Sequence, residues 1–417
     1  MPQKPPARRR RAYVSIAGTT QMHLRSPIVV ALWSAIFPGL GHLLLSKYIP
    51  GFLLFAWEVL INVKSHLNQA IFYSFTGQAE LAKGILDKQW FLLYFCTYLF
   101  AIWDSYRTTA DMNNNFVLAA REDAPVTSFI VHALGFNYLD KSSPAVAMIW
   151  SALAPGAGQL IFHRLMVAFF LFLMWIIVVF QSKLLPAIHY TMLGQFEQTK
   201  DVLNQQWFLN LPSLFFFSIY DAHVNTVESN KLFDWEQAKF LRREYQNRLF
   251  PMPIQSKGNG GDRMYIISNF EHTIKLETAI TAVEMKGIPK EHILAVPMDK
   301  KNAGGMLFDQ VHSSDGLSML DIPMILAALF ALFGAIYGFL LNWGPVIWGL
   351  IGTGLGAGVG ILIKLYTTRK NKKKQRAQTA AVFLLIACEE NQAQMVQDTL
   401  WAYSALGVSK LQLDGQP

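Results

Sequence analysis

Two stretches decide the reading: SPIVVALWSAIFPGLGHL, Ser26–Leu43, and SPAVAMIWSALAPGAGQL, Ser143–Leu160. The second follows the first at an offset of 117 residues, and the offset persists well beyond both motifs. Trp33 and Trp150, Gly77 and Gly194, Gln78 and Gln195, Glu80 and Glu197, Trp90 and Trp207, and Asp104 and Asp221 correspond without an insertion. Self-similarity at a fixed period turns six apolar runs into two copies of one unit. Each copy holds a run ending in Pro-Gly-x-Gly, a second run (51–63; 165–180), a polar helical stretch and a third run (90–106; 207–220).

Working outward, the composition agrees with a membrane setting. Of 417 residues, 52% are hydrophobic and 15% are charged, against roughly 25% charged in an ordinary soluble domain. Two further apolar runs, 322–341 and 346–365, bring the expected number of spans to eight. The net charge of +8 is concentrated in Arg8, Arg9, Arg10 and Arg11 and in the tail around Lys372, Lys373 and Lys374. Such runs suit anionic lipid headgroups, which makes the bilayer the first expected partner. With the N-terminus inside, 30 of the 36 Lys and Arg fall on that side, leaving Lys47, Arg107, Arg121, Lys141, Lys183 and Lys200 outside. This bias predicts a multi-pass protein with both termini cytoplasmic. Three spans per copy is odd, so the two copies are expected to run in opposite directions, an arrangement known in transporters. Re-entrant Pro-Gly segments would remove that inversion.

The expected organisation is a basic tail (1–25), a first membrane repeat (26–109), an extracytoplasmic linker (110–142) and a second repeat (143–226). A basic amphipathic helix and linker (227–261) come next, with Trp235, Ala238, Leu241, Tyr245 and Leu249 on one stripe. That helix is read equally as lying on the membrane or on its own domain. A first β-α-β half (262–300) follows, then a juxtamembrane segment and hairpin (301–366), then a basic stretch with a second β-α-β half (367–417). Two such halves in one compartment can pair into a ferredoxin-like module.

Gly352, Gly356 and Gly360 recur every four residues, with Gly354 and Gly358 interleaved, and Gly334 and Gly338 give the preceding run a similar small face. Small residues let membrane helices approach closely, so these positions are expected to join the two runs or to join copies of the chain. The glycines lack the Lys-Ser/Thr of a phosphate loop. A β-α-β half, a glycine-zipper hairpin and a second β-α-β half, over about Asp262–Leu413, resemble the bacterial general-stress-protein domain. PGLGH and PGAGQ resemble in part a Pro-Gly-x-Gly helix-pair module of small membrane proteins in Gram-positive bacteria, with Leu and Ile where a Tyr often stands. These resemblances imply a bacterial cell-membrane protein and no defined reaction.

Pro38, Gly39, Gly41 and His42, with Pro155, Gly156, Gly158 and Gln159, break their helices in paired positions. That pattern fits a transport site or a tight hairpin turn between packed helices. Glu58 sits inside an apolar run and its counterpart is Trp175; Asn62 and His42 are its candidate partners. An intramembrane acid is by default a functional hypothesis. Asp104 and Asp221 are duplicated near the ends of their runs, with Arg107 and His223 as candidate partners. No two of the ten histidines have metal-ligand spacing on a helix, and His312 between Asp309 and Asp315 reads as a loop, so neither a metal nor a cofactor is expected. Cys96 and Cys388, the two cysteines, read as buried apolar positions. No nucleophile-base motif is present and the basic runs adjoin apolar ones, which disfavours an enzyme and nucleic-acid binding. The sequence therefore suggests a non-enzymatic scaffold or regulator whose cytoplasmic module binds a protein partner or senses a condition. The rivals are a small transporter or channel on inverted repeats and, more remotely, a lipid enzyme.

Overall fold

A computed structural model describes residues 7–133, 135–247, 250–252, 263–298, 318–369 and 381–411. It is mostly helical with small sheets, and its contacts divide the chain into two compact units. The first runs up to Glu228, apart from Leu139–Lys141, and includes the late helical hairpin; the second holds the larger sheet.

The helical unit opens with β1 (Ala12–Ser15) and β2 (Gly18–Gln21). They are followed by α1 (Pro27–Ile36), α2 (Leu40–Leu44), α3 (Tyr48–Ser65), α4 (Leu67–Phe75), α5 (Ala79–Ile85) and α6 (Lys88–Glu122). Next come β3 (Phe129–His132), β4 (Gly135–Tyr138), α7 (Pro144–Leu153), α8 (Ala157–Ile161), α9 (Leu165–Ser182), α10 (Leu184–Met192) and α11 (Phe196–Val202). From β1 to α5, each element and its counterpart from β3 to α11 begin and end 117 residues apart. Where the first stretch has α6, the second has α12 (Gln205–Phe208) and α13 (Leu211–Glu244).

Proline at the first turn starts α1 and α7, where its missing N–H costs nothing. Both helices stop after ten residues at the Pro-Gly turn. Gly39 and Gly156 there have φ of 98° and 99°, a region that disfavours a side chain, and a Cβ on either would meet the backbone of α3 or α9 within 3 Å. At 1.5 Å per residue α1 is about 15 Å long, half of the roughly 30 Å hydrocarbon core. The chain then turns back. Arg25 and Asn113 exchange backbone-to-side-chain hydrogen bonds of 3.0 and 2.8 Å, and the Tyr98 hydroxyl donates to the Ala35 carbonyl at 2.8 Å. His42 meets Asp104, and the Lys47 ammonium donates to Thr108 Oγ1 at 3.0 Å. Along α6 the contacts therefore descend from 113 to 98 and return to 104 and 108, so α1 and α2 form a hairpin re-entering toward its starting end.

The two stretches lie parallel. At one end the Asn137 amide donates to the Ser15 carbonyl at 2.6 Å and the Arg164 guanidinium to the Leu43 carbonyl at 3.0 Å. At the other end the Asn68 amide donates to the Gln206 carbonyl at 2.9 Å, and Phe72 shares a core with Ala187 and Phe208. Matching ends meet matching ends, which corrects the expectation of opposed units. Its physical reason is the short, turned-back α1, which returns the chain to its starting end before the two long arms of each stretch.

Among the described residues three helices are long and apolar enough to cross a membrane, Leu165–Ser182, Asp321–Gly338 and Gly344–Thr367, and α5 with α6 qualifies as a pair bent by 91°. The last two belong to the hairpin of α15 (Asp321–Gly338) and α16 (Gly344–Arg369), numbered after α14 below. Eight apolar runs are therefore not eight long helices.

The second unit contains β5 (Arg263–Glu271), α14 (Ile274–Met285), β6 (Ile293–Pro297), β7 (Ala381–Glu389), α17 (Glu390–Ala402) and β8 (Gly407–Leu411). The sheet is antiparallel in the order β6-β7-β5-β8, and β5 pairs with β7 over nine residues, from Arg263↔Glu389 to Glu271↔Ala381. Alternate residues Ile266, Phe270, Leu384 and Ile386 face a core completed by Leu276, Val283, Val396 and Leu400 of α14 and α17. A capping box of Glu389 and Gln392 starts α17 directly from β7. Leu241 and Tyr245, at the end of α13, lie in this same core, and Tyr245 accepts from the Ala295 amide at 3.0 Å. Of the two readings of this stripe, Leu241 and Tyr245 follow the one in which it packs on its own domain, and Leu249 lies outside the described residues.

Candidate functional site

Among the described residues of the helical unit, three clusters of buried polar side chains bear on function. Two are equivalent. In the first, Asp104 accepts from His42 Nε2 at 3.1 Å and from Arg107 at 2.9 Å. In the second, fully buried Asp221 accepts from Arg164 at 2.6 Å, Asn225 at 2.8 Å and Gln159 at 3.2 Å. Gln159 also donates to the Ser218 carbonyl at 2.8 Å, and the Gly156 amide donates to Ser218 Oγ at 3.0 Å. Each acid thus ties the returning arm of a Pro-Gly hairpin to a long helix. Gly41 and Gly158 complete the turn, since a Cβ on either would lie 2.2 or 2.1 Å from the hydroxyl of Ser34 or Ser151.

Arg107 is the expected partner of Asp104, but His223 is not that of Asp221, which pairs with Arg164. The signal was in the alignment: Lys47 and Arg164 are 117 residues apart, a basic residue kept at one place in both copies. Buried Arg25 extends the second cluster through a 3.0 Å bond to Asn225, and lines a narrow crevice with His23, Ser26 and Tyr220. The Tyr220 hydroxyl donates to Asp321 at 2.7 Å, and the Ser318 amide donates to the other carboxylate oxygen at 2.6 Å, fixing the start of α15.

The third cluster is not duplicated. Buried Glu58 accepts from Asn62 at 3.5 Å, its Oε2 has no hydrogen-bond partner, and Tyr94 of α6 lies beside the carboxyl. His42 belongs to Asp104 instead. Beyond Glu58 the amides of Asn62, Asn68, Gln206 and Asn210 form a continuous seam between the two stretches. Their counterparts 117 residues away are Val179, Leu185, Gln89 and Leu93. The seam was missed at the level of sequence because amides scattered in apolar runs carry no motif.

Gly352, Gly356 and Gly360 face α15, where an added Cβ would approach the Phe330 and Leu326 carbonyls and Pro323 within 2.4 Å. Gly334 and Gly338 meet Trp348 and Pro345 in the same way, whereas Gly354 and Gly358 have nothing within 4 Å. Of the expected headgroup residues, Arg9 bonds Glu122 at 2.7 Å and Arg11 stacks on Phe116 at 4.9 Å, while Arg8 and Arg10 are exposed. Lys372, Lys373 and Lys374, and His312 with its flanking acids, lie outside the described residues. Among the described residues no group of His, Cys, Asp and Glu could hold a metal ion. No protein-family description, curated protein or solved structure matches the chain.

Proposed function

We propose that the protein is a membrane-embedded scaffold or regulator, with two parallel copies of a re-entrant-hairpin unit and a ferredoxin-like module that engages a cytoplasmic protein. The observation that carries this reading is that both duplicated acids, Asp104 and Asp221, bond within the frame. Each holds a Pro-Gly hairpin against a long helix, which is a structural task.

Counting α3, α6, α9, α13, α15 and α16 as crossings gives six spans with two re-entrant hairpins, so both ends of the helical unit share one side. Lys64, Lys83, Lys88, Lys183 and Lys200 then lie at the far end, and Arg25, Lys47, Arg107 and Arg164 at the near one. With the basic tails, this favours a cytoplasmic near end. The order β6-β7-β5-β8, with both helices on one face, supports the ferredoxin-like reading. On the opposite face Phe383 and Val296 are exposed, giving a partner an apolar patch. The resemblance to the general-stress-protein domain supports a role for the protein in a stress response.

Glu58 favours a second reading, a proton or cation path, because one oxygen of a buried carboxyl has no partner. Reconstitution into vesicles separates the two. The scaffold leaves proton and cation permeability at that of empty vesicles, whereas a flux abolished by Glu58→Gln would overturn it in favour of transport.

A further inference from the structure

The two copies meet through unlike faces. From the first, Trp33 of α1 and Phe52 and Phe55 of α3 are presented; from the second, Phe217 and Tyr220 of α13 and Phe170 of α9 receive them. Ring centroids lie 5.5 Å apart for Trp33–Phe217, 5.2 Å for Trp33–Tyr220 and 4.4 Å for Phe52–Phe170. A two-fold relation would make every contact twice, so Trp150 would cover Phe100 and Trp103. It does not. Trp33, Phe217 and Tyr220 are 0%, 0% and 3% exposed, but their counterparts Trp150, Phe100 and Trp103 are 51%, 51% and 57% exposed. Phe169 and Leu53, the counterparts of Phe52 and Phe170, are exposed as well. The copies are related head to tail, which leaves the presenting face of the second and the receiving face of the first unmatched. Heterologous contacts of this kind continue until a ring closes or a filament forms.

We propose that a second copy of this chain covers these faces, so that Trp150 and Phe169 of one protomer seat on Phe100, Trp103 and Leu53 of the next. The contact inside the chain is the template for the contact between chains. Trp33, Phe52, Phe55 and Phe217 recur unchanged as Trp150, Phe169, Phe172 and Phe100, and Tyr220 recurs as the aromatic Trp103. Contact with lipid requires an apolar surface but no such identity. At three positions of the Glu58 and amide cluster, by contrast, the copies differ: Glu58, Asn62 and Asn68 correspond to Trp175, Val179 and Leu185. Lys47 also retains a cation at the place from which Arg164 reaches the Leu43 carbonyl. The amide seam has no counterpart at the junction between chains, which makes that junction the weaker of the two.

Disulfide trapping tests this in membranes, with Cys96→Ser and Cys388→Ala as background. The double variant Trp150→Cys/Trp103→Cys should give a ladder of dimers and larger species on oxidation. Coexpressed single variants should give a mixed dimer, and either single variant alone should give none. Self-linking of a single variant would replace the head-to-tail contact with a symmetric one and overturn the proposal. Absence of any adduct, with a mass of one 47.1 kDa chain for the wild type in lipid nanodiscs, would also overturn it by leaving lipid as the occupant. Trp150 and Trp103 are surface-exposed, so neither substitution opens the core, and the cysteine-free background serves as the reference for folding in every arm.

Discussion

Asp104 and Asp221 do the same job under different degrees of burial, and this sets what each is worth. Asp221 and Arg164 are almost completely enclosed, so removing one leaves the other charge buried without its partner. That typically costs about 3–5 kcal/mol. Arg107 is about half exposed, and ion pairs of that kind contribute about 0–1 kcal/mol. Asp221→Asn should therefore lower the thermal midpoint in detergent sharply, whereas Arg107→Ala should leave it within a degree or two; equal shifts would contradict the assignment. The duplicated acids were legible as candidates because the 117-residue offset exposes them. Their partners were legible only in part, since Arg164 lies 57 positions from Asp221 and no local spacing connects them.

At the scale of elements, the α15–α16 hairpin shows how small residues act by position. Gly352 sits where a side chain would strike the Phe330 carbonyl, while Gly354, two residues on, faces open space. Replacing a helical glycine by alanine gains about 0.8–1 kcal/mol of helix propensity. Gly354→Ala should thus raise the thermal midpoint slightly, and Gly352→Ala should lower it despite the same propensity gain. Matching effects from the two variants would show that the glycine face does not join these helices. The four-residue period made this face readable, but not whether it met its own hairpin or another protomer. The strands and helices of the two β-α-β stretches were equally readable, because apolar alternation and helical period change sharply at His272–Thr273 and Glu389–Glu390. The Pro-Gly segments were readable as helix breaks, with a hairpin turn as one of two readings, but not in their direction, since hydropathy counts apolar residues without registering it. A ten-residue helix turned back by Gly39 scores as a crossing until its contacts with α6 are known.

At the scale of the whole molecule, one geometric fact organises the rest: the halves of the helical unit are parallel. It follows from hairpins that turn back at Pro-Gly, and it weakens the inverted-repeat argument for transport on which the rival reading depended. It also makes the head-to-tail face possible, because inverted copies would present their aromatic rows to opposite sides of the bilayer. Glu80 and Glu197 are the sharpest probes. They are equivalent, 117 residues apart, and each is highly exposed. Glu80→Cys and Glu197→Cys, each introduced singly with the native cysteines replaced, should be labelled by an impermeant maleimide from the same side of the membrane. Labelling from opposite sides would restore inverted units and contradict the account.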